Sequence, residues 1–259
     1  MLEPDVTIVI PLRDEELNVG PLHDELTSVM DKLNVSCELI FVDDGSVDGT
    51  ATRLTALQAT DPRIRIIRFT RNFGQTAAFA AGFAHARGRF IVTSDGDLQN
   101  DPADIPHLLQ LAQRHGIVCG WRKDRKDAFF TRHVPSVAAN WLLGLATGIR
   151  LHDNGCSLKV FRADLVRPLK LRPGMHRYLP AIASQLGGDV VEVVVNHRPR
   201  RFGRSKYGLS RTFSVVADLI HLRALMRRAV DPSTPATNLY QIAEILETGS
   251  GGSTVQKVQ

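Results

Sequence analysis

The chain has 259 residues, of which 43% are hydrophobic and 23% are charged, with a formal net charge of +5. This length and composition supply enough apolar surface for a well-buried core and exclude a mainly disordered protein. No apolar run approaches the roughly 18 to 20 residues of a membrane-spanning helix, so we expect no transmembrane helix.

The positive charge is concentrated in one segment. Residues 198–228 hold nine Arg and Lys against one acid, Asp218, so this segment carries +8 and the rest of the chain −3. Such a segment predicts an anionic partner: nucleic acid, a membrane surface or a phosphorylated substrate. Aromatic residues make up only 6% and no RNA-binding aromatic motif is present, so we expect no nucleic acid partner.

The first residues argue against a secreted protein, and the cysteines argue against a disulfide-rich or zinc-binding one. Glu3 and Asp5 stand where a signal peptide would carry positive charge, which predicts a cytoplasmic protein. Cys37, Cys119 and Cys156 are far apart and form no CxxC pair. They therefore indicate small core residues rather than a disulfide framework or a zinc site.

Short apolar runs alternate with helical patterns in the first half of the chain. The predicted strands are 6–10, 38–42, 65–69 and 90–93, and the predicted helices are 17–33, 49–59, 75–86 and 102–115. This alternation predicts an α/β fold with a mostly parallel, Rossmann-like sheet flanked by helices. Ligands of such sheets bind at the carboxyl ends of the strands.

The second half is less regular. Its pattern predicts a charged loop at 121–132, a helix at 134–147, strands at 157–161 and 190–195, and an amphipathic helix at 209–228. After Pro232 the sequence is rich in turn-forming residues, with one short helical stretch near 241–246. We therefore expect a main domain at 1–228 and a polar, flexible tail at 229–259.

Two carboxylates, Asp43 and Asp44, directly follow the predicted strand 38–42, and Gly45 and Ser46 come next. A carboxylate at a strand end can accept hydrogen bonds from a nucleobase N–H or from ribose hydroxyls. Asp, Gly and Ser also form ordinary capped turns. This cluster alone therefore leaves both interpretations open.

A second acidic cluster follows the predicted strand 90–93. Asp95 and Asp97 are separated only by Gly96, and such a pair can converge on a hard divalent cation, Mg²⁺ or Mn²⁺. A cation bridging a nucleoside diphosphate would neutralise the charge that develops as the bond to the sugar breaks. A capped loop is the alternative, but two Asp-rich strand ends in one parallel sheet favour a binding site.

Six segments together resemble family 2 glycosyltransferases of GT-A fold, and in particular the polyprenyl-phosphate sugar transferases such as dolichol-phosphate mannose synthase and undecaprenyl-phosphate glycosyltransferases. They are TIVIPLRDEE (7–16), ELIFVDDGSVDGT (38–50), RNFGQTAAFAAGFAHARG (71–88), SDGDLQNDP (94–102), DNGCSLKVFR (153–162) and RPRRFGRSKYGLSR (198–211). The resemblance implies a GT-A catalytic domain over 1–228.

The resemblance also implies a set of site residues. The nucleotide-sugar pocket would be formed by Pro11, Arg13, Glu15, Asp43, Asp44, Gln75 and Asp95. The metal and diphosphate would be held by Asp95, Asp97 and Gln99, and the donor and acceptor phosphates by Arg122, Arg132, Ser136, Arg200, Ser205 and Lys206. The catalytic roles would fall to Asp97, Arg122, Arg132 and Arg200. Guanidinium groups bind phosphate oxygens at two points, which agrees with this assignment, and a solvated basic loop at 198–206 is the alternative.

One expected catalytic part is missing. Sugar transfer to a hydroxyl needs a general base, yet this chain has His152, Asp153 and Asn154 where related enzymes carry an acidic pair. A phosphate monoester, with a second pKa of about 6, is already an anionic nucleophile near neutral pH. Asp153 stays open as a base, a positioning residue or a structural residue, and His197 is a further candidate for a phosphate contact.

The resemblance therefore implies an inverting, metal-dependent hexosyltransferase that moves a sugar from a UDP- or GDP-sugar to a polyprenyl phosphate. The polar tail after about residue 230, where many relatives continue into transmembrane helices, favours an enzyme peripheral to the cytoplasmic face of a membrane. Either the membrane surface or a membrane-embedded partner would hold it there. The alternatives are a soluble family 2 glycosyltransferase with a non-lipid acceptor, such as a secondary metabolite, and a catalytically silent nucleotide-sugar-binding subunit.

Overall fold

The computed structural model describes residues 3–123, 144, 147–202, 222–235, 238–249 and 252–257. Its strands are β1 (Val6–Leu12), β2 (Cys37–Asp43), β3 (Ile64–Phe69), β4 (Phe90–Thr93), β5 (Ile117–Trp121), β6 (Lys159–Arg162), β7 (Val190–Val194), β8 (Ile242–Gly249) and β9 (Gly252–Lys257). Its helices are α1 (Glu16–Leu33), α2 (Thr50–Gln58), α3 (Gln75–His85), α4 (Ile105–Ala112) and α5 (Leu179–Ser184), and residues 222–230 are also helical.

Within the described ranges the strands form one sheet in the order β7-β5-β6-β4-β1-β2-β3-β8-β9. The pairs β1–β2, β1–β4, β2–β3 and β5–β7 are parallel. Strands β6 and β8 run antiparallel to their neighbours, so seven of the nine described strands point the same way. The predicted mostly parallel α/β sheet is confirmed.

Both faces of the sheet are covered, which explains why its central strands are continuous apolar runs. Val9 of β1 belongs to a core that includes side chains of α3, whereas Ile8 and Ile10 belong to a second core with side chains of α1, α2 and α4. Cys119 and Cys156 are buried free thiols in these cores, as predicted. Cys37 is half-buried and packs against the second core.

The predicted elements of the first half match the structure closely, with two refinements. The predicted helix 102–115 is a 3₁₀ turn, Pro102–Asp104, followed by α4, and the Asp101 carboxylate caps the turn by accepting from the Ala103 N–H at 3.0 Å. Strand β5 was not predicted. Its sequence is short and contains Gly120, where an added Cβ would lie 2.9 Å from the carbonyl oxygen of Leu158 on the adjoining chain segment.

The prediction for the C-terminal segment is wrong over residues 242–249 and 252–257. Instead of a short helix and a flexible tail, β8 pairs antiparallel with β3, and β9 pairs with β8. Ile245 and Leu246 are buried, and Glu247 accepts from Arg65 and Arg87, both at 2.8 Å. A local sequence pattern cannot report such long-range pairing.

Two predicted helices lie mostly outside the described residues. The predicted helix 134–147 lies outside the described residues except at 144 and 147, and the amphipathic helix 209–228 lies outside them up to residue 221. In the part of the chain that is described, no helix has the length and apolarity needed to cross a bilayer.

Gly82 of α3 tests how closely the helix packs on the sheet. An added Cβ there would lie 2.2 Å from Cγ1 of Val9, so we expect Gly82→Ala to lower the free energy of unfolding by about 1 to 3 kcal/mol in urea denaturation. Val9→Ala removes the clashing atoms. Val9→Ala should therefore lower the free energy of unfolding by less in the Gly82→Ala background than in the wild type. Strict additivity of the two changes would contradict the close contact.

Candidate functional site

The loops that follow β1 and β2 are held together at the carboxyl edge of the sheet. The Asp44 N–H donates to the Leu12 carbonyl at 2.8 Å, and the Val47 N–H donates to the Asp14 carboxylate at 2.9 Å. The Asp14 N–H in turn donates to the Ser46 hydroxyl at 2.9 Å. The loop after β4 lies next to them because β4 pairs directly with β1.

Asp43 ends β2 with a buried carboxylate whose two oxygens have different neighbours. Its Oδ1 accepts from the Ser46 N–H at 2.9 Å, which closes the turn. Its Oδ2 lies 3.5 Å from Nε of Arg68. One oxygen therefore serves the turn, and the other faces the cation of the neighbouring strand.

Asp44 is committed to the protein backbone. Its carboxylate accepts from the N–H groups of Phe73 at 2.6 Å and Gly74 at 2.9 Å, and burial raises its pKa. These bonds fix the loop that leads into α3. Asp44 thereby fixes the backbone directly before Gln75, the first residue of α3. Its predicted contact with a nucleotide stays a prediction.

Gln75, the first residue of α3, reaches the second acidic cluster. Its Nε2 donates to Asp95 Oδ1 at 2.7 Å. Burial and the neighbouring Asp97 carboxylate raise the pKa of Asp95, whereas the Ser157 hydroxyl acts to lower it. The structure thus brings together Gln75 and Asp95, which the sequence predicted in one pocket.

Asp97 contacts the basic segment directly. Arg200 Nη2 donates to Asp97 Oδ2 at 2.5 Å, and the Gln99 N–H donates to Oδ1 at 3.2 Å. Burial raises the pKa of Asp97, and Arg200 opposes that rise. Gly96 between the acids packs closely on the buried Leu12, because an added Cβ would lie 2.1 Å from Cδ2 of that side chain.

The Asp95 and Asp97 side chains fit a divalent cation. They are neighbouring carboxylates in a buried setting, where a bound cation would relieve the repulsion that raises the pKa of Asp95. Among the described residues, no group of three His, Cys, Asp or Glu side chains surrounds a common point. The two carboxylates would therefore hold the ion together with ligand oxygens or water. Gln99, whose Nε2 donates to the Arg198 carbonyl at 3.4 Å, lies beside them.

The segment after β7 is fastened to the acidic loop. The Arg198 N–H donates to the Gln99 carbonyl at 2.8 Å, and His197 forms an antiparallel bridge with Asn100. The Arg198 guanidinium donates to Glu25 and Asp101, both at 2.6 Å. Together with the contact between Arg200 and Asp97, these bonds hold Arg198 and Arg200 against acidic side chains, while residues 203–206 of the predicted basic loop lie outside the described residues.

Arg122 and Asp153 form a buried two-point ion pair. Arg122 Nε and Nη2 donate to the two carboxylate oxygens of Asp153 at 2.7 and 3.0 Å. Although burial acts to lower the pKa of Arg122, Asp153 raises it. A carboxylate bound at two points by a guanidinium is a poor proton acceptor. Among the roles left open for Asp153, the geometry therefore favours that of a residue that positions Arg122.

Several residues that support the site were not predicted. Glu192 of β7 accepts from the N–H groups of His152 and Asp153, both at 2.9 Å. Its position as the one acid in an apolar strand was a usable signal. Asn100 donates to the Ser157 hydroxyl at 2.8 Å, and the buried Lys159 donates to the Asn154 carbonyl at 3.3 Å. No sequence pattern singled out Asn100, in the loop after β4, or Lys159, the first residue of β6.

The remaining predicted residues are placed as follows. Pro11 is half-buried in β1, Arg13 Nε lies 3.7 Å from Asp14, and Glu15 accepts from the Asn18 side chain at 2.5 Å. Glu15 is also near enough to act on Asp97 by raising its pKa. Arg132, Ser136, Ser205 and Lys206 lie outside the described residues.

The model of the glycosyl transferase family 2 matches residues 7–168, which is more than half of the chain. The chain belongs to this family. It is 44% identical to a dodecaprenyl-phosphate galacturonate synthase of Rhizobium johnstonii over 233 residues, which are 88% of this chain and 69% of the relative. It is 33% identical to an undecaprenyl-phosphate 4-deoxy-4-formamido-L-arabinose transferase of Aeromonas hydrophila over 217 residues, which are 83% of this chain and 66% of the relative. The chain thus spans about two thirds of the length of these relatives.

Solved structures agree on the fold. A glucosyl-3-phosphoglycerate synthase of Mycobacterium tuberculosis, in complex with Mn²⁺, UDP and phosphoglyceric acid, superposes with a TM-score of 0.65 at 19% identity, over 98% of this chain and 87% of that one. A mannosyl-3-phosphoglycerate synthase of Rubrobacter xylanophilus superposes with a TM-score of 0.63 at 15% identity, over 98% and 86%. The protein is a glycosyltransferase of GT-A fold.

The ion pair of Arg122 and Asp153 yields a stability prediction. Asp153→Asn leaves the buried Arg122 without its counter-charge. We therefore expect the free energy of unfolding, measured by urea denaturation, to fall by about 3 to 5 kcal/mol. Asp164→Asn is the control, because the pair of Asp164 and Arg162 is exposed and should cost less than about 1 kcal/mol. Equal losses for the two variants would refute the structural importance of the buried pair.

Proposed function

We propose that this glycosyltransferase moves a sugar from a UDP- or GDP-sugar to a polyprenyl phosphate, with inversion at the anomeric carbon. The observation that carries the proposal is the contact of Arg200 with Asp97, 2.5 Å long, beside Asp95. It brings a phosphate-binding guanidinium to the carboxylate pair that fits a diphosphate-bound cation. Donor and acceptor phosphates would therefore meet at one point.

The names of the relatives support a lipid acceptor. Both the 44% and the 33% identical relatives are named for transfer to a polyprenyl phosphate, dodecaprenyl or undecaprenyl. Their sugars are galacturonate and a formamido-arabinose. We therefore propose nucleoside-diphosphate sugars in general as donors. The hexosyl donors predicted from the sequence are one case within this class.

Asp95 and Asp97 would hold a Mg²⁺ or Mn²⁺, with Gln99 beside them. Such an ion supplies compensation for the negative charge of a diphosphate leaving group. Gln75 orients Asp95, and the backbone N–H of Gln99 orients Asp97. Asp43 is the proposed acceptor for an N–H or hydroxyl of the nucleoside, since one of its oxygens is not used by the turn.

The acceptor needs orientation and charge compensation rather than a base. A phosphate monoester is already anionic near neutral pH, and Arg200 is the described cation placed to bind it. The ion pair with Arg122 removes Asp153 as a ready proton acceptor. Direct attack by the acceptor oxygen on the anomeric carbon would displace the diphosphate and invert that centre.

A lipid acceptor requires the site to meet a membrane surface. The basic segment 198–228 supports contact with anionic headgroups at the cytoplasmic face, with the enzyme peripheral or bound to a membrane-embedded partner. The predicted catalytic domain, residues 1–228, extends in this proposal to β9, because β8 and β9 belong to the same sheet.

Asp97→Asn tests the cation site. Losing one of two carboxylate ligands should remove several kcal/mol of leaving-group stabilisation, so we expect turnover of the donor sugar to fall by at least about a hundredfold. Calorimetric titration with Mn²⁺ and UDP should show weaker binding of the metal, while the unfolding midpoint stays near that of the wild type. Full activity of the wild type in excess chelator would rule out the metal role.

Arg200→Ala tests the acceptor. We expect transfer to a polyprenyl phosphate to fall about 10- to 100-fold, because a charge-assisted contact worth roughly 1.5 to 3 kcal/mol is lost. Arg200→Lys should recover part of the activity, since an ammonium keeps the charge but not the two-point geometry. The affinity for free UDP or GDP should change much less.

The control for Arg200 is its neighbour Arg201, which is exposed and lies 3.7 Å from Glu25, so Arg201→Ala should have little effect. The assay follows radiolabelled sugar into an organic-extractable, mild-acid-labile product, with polyprenyl phosphate and the matching alcohol compared. Equal use of the alcohol would overturn the argument that no base is needed. If neither lipid is glycosylated with any donor that binds, the lipid acceptor is ruled out and a soluble acceptor should be sought.

A further inference from the structure

The C-terminal strand β8 reaches the predicted nucleoside end of the site, although it lies outside the residues that match the family. In the sheet register, Asp43 of β2 is opposite Arg68 of β3, and Arg68 is opposite Glu244 of β8. Residues directly opposite each other on adjacent strands point to the same face. An acid, a base and an acid therefore form a row across three strands.

The contacts in this row are ionic. Arg68 Nη1 donates to Glu244 Oε1, and Arg68 Nε lies 3.5 Å from Asp43 Oδ2. The Asp43 side chain is 2% exposed, whereas those of Arg68 and Glu244 are 38% and 22% exposed. The β3–β8 pairing shifts register between Arg68 and Phe69 and continues at Phe69, which is opposite Ile242.

The contact with Glu244 controls what remains for a ligand at Asp43. Oδ1 of Asp43 is used by the Ser46 N–H, so Oδ2 is the atom that a nucleobase N–H or a ribose hydroxyl would approach. Arg68 is the competing partner for that oxygen. By binding the guanidinium from the other side, Glu244 limits the contact to one at 3.5 Å instead of a two-point ion pair.

A second set of contacts links the C-terminal segment to Asp44, the neighbour of Asp43. The ring of Tyr240, just before β8, stacks on Phe69 with centroids 5.1 Å apart, and Phe69 packs edge-on against Phe73 at 5.7 Å. The Phe73 N–H donates to Asp44. The C-terminal segment thus braces both Asp43 and the loop that Asp44 fixes.

We infer that Glu244 is a positioning residue of the donor site: it holds Arg68 and so keeps Oδ2 of Asp43 available to the nucleoside. This inference rests on the proposed function, because it takes Asp43 as a nucleoside contact. Glu244 would act on donor binding and not on the transfer step. No contact joins it to Asp95 or Asp97 among the described residues.

The test is calorimetric titration of the 259-residue chain with UDP and with GDP in the presence of Mn²⁺, comparing Glu244→Gln with the wild type. Loss of the charge frees Arg68 to pair with Asp43, so we expect the Kd to rise about tenfold. In the transfer assay the donor KM should rise while kcat stays within about twofold of the wild type. Arg68→Gln in the Glu244→Gln background removes the competing cation and should return the Kd to within about twofold of the wild-type value.

Glu247→Gln is the matched control. It is the same substitution on the same strand, but Glu247 pairs with Arg65 and Arg87 instead of Arg68, so the nucleotide Kd should not change. A Kd unaltered by Glu244→Gln, or one that Arg68→Gln does not restore, would overturn the inference and leave the proposed function standing. Failure of the wild type to bind either nucleotide would overturn both.

Discussion

Carboxylates crowd the carboxyl edge of the sheet, and the rest of the structure depends on how their charges are paired. Asp43 and Asp44 are held by N–H groups of the backbone, Asp95 by the amide of Gln75, Asp97 by Arg200 and Asp153 by Arg122. A buried charge without such a partner costs several kcal/mol. The buried pair of Arg122 and Asp153 is therefore a condition of folding, whereas the contacts of the other carboxylates lie where a ligand would bind.

The basic partners come from distant parts of the chain. Arg68 lies on β3, Arg122 follows β5 and Arg200 follows β7, so the pairing is complete only when the strands are in their final order. The arrangement also has a chemical consequence. In the proposed reaction the enzyme must compensate the charges of a donor diphosphate and of an acceptor phosphate. Cations already placed against carboxylates need little further ordering to do so.

Much of this organisation could be predicted from local sequence. The alternation of apolar runs and helical patterns indicated the parallel sheet, and parallel strands bring their carboxyl ends to one edge. That is why the acids after β2 and β4 were expected together. The ion pair of Arg122 with Asp153 and the support from Glu192 were not anticipated. Their partners are 31 and 39 residues apart, and spacing along the chain does not encode such contacts.

The sequence by itself determined the fold class and the location of the acidic pairs, because these follow from periodicity and from residue types at strand ends. It indicated the family through the resemblance of six segments. Only the tertiary structure decided which carboxylate oxygens the backbone uses, as in Asp44, and which of them face a cation, as in Asp43. It alone showed that the C-terminal segment forms two strands, β8 and β9. Arg68 and Glu244 are 176 residues apart, and the Coulomb energy that joins them depends on proximity in space, which no local pattern contains.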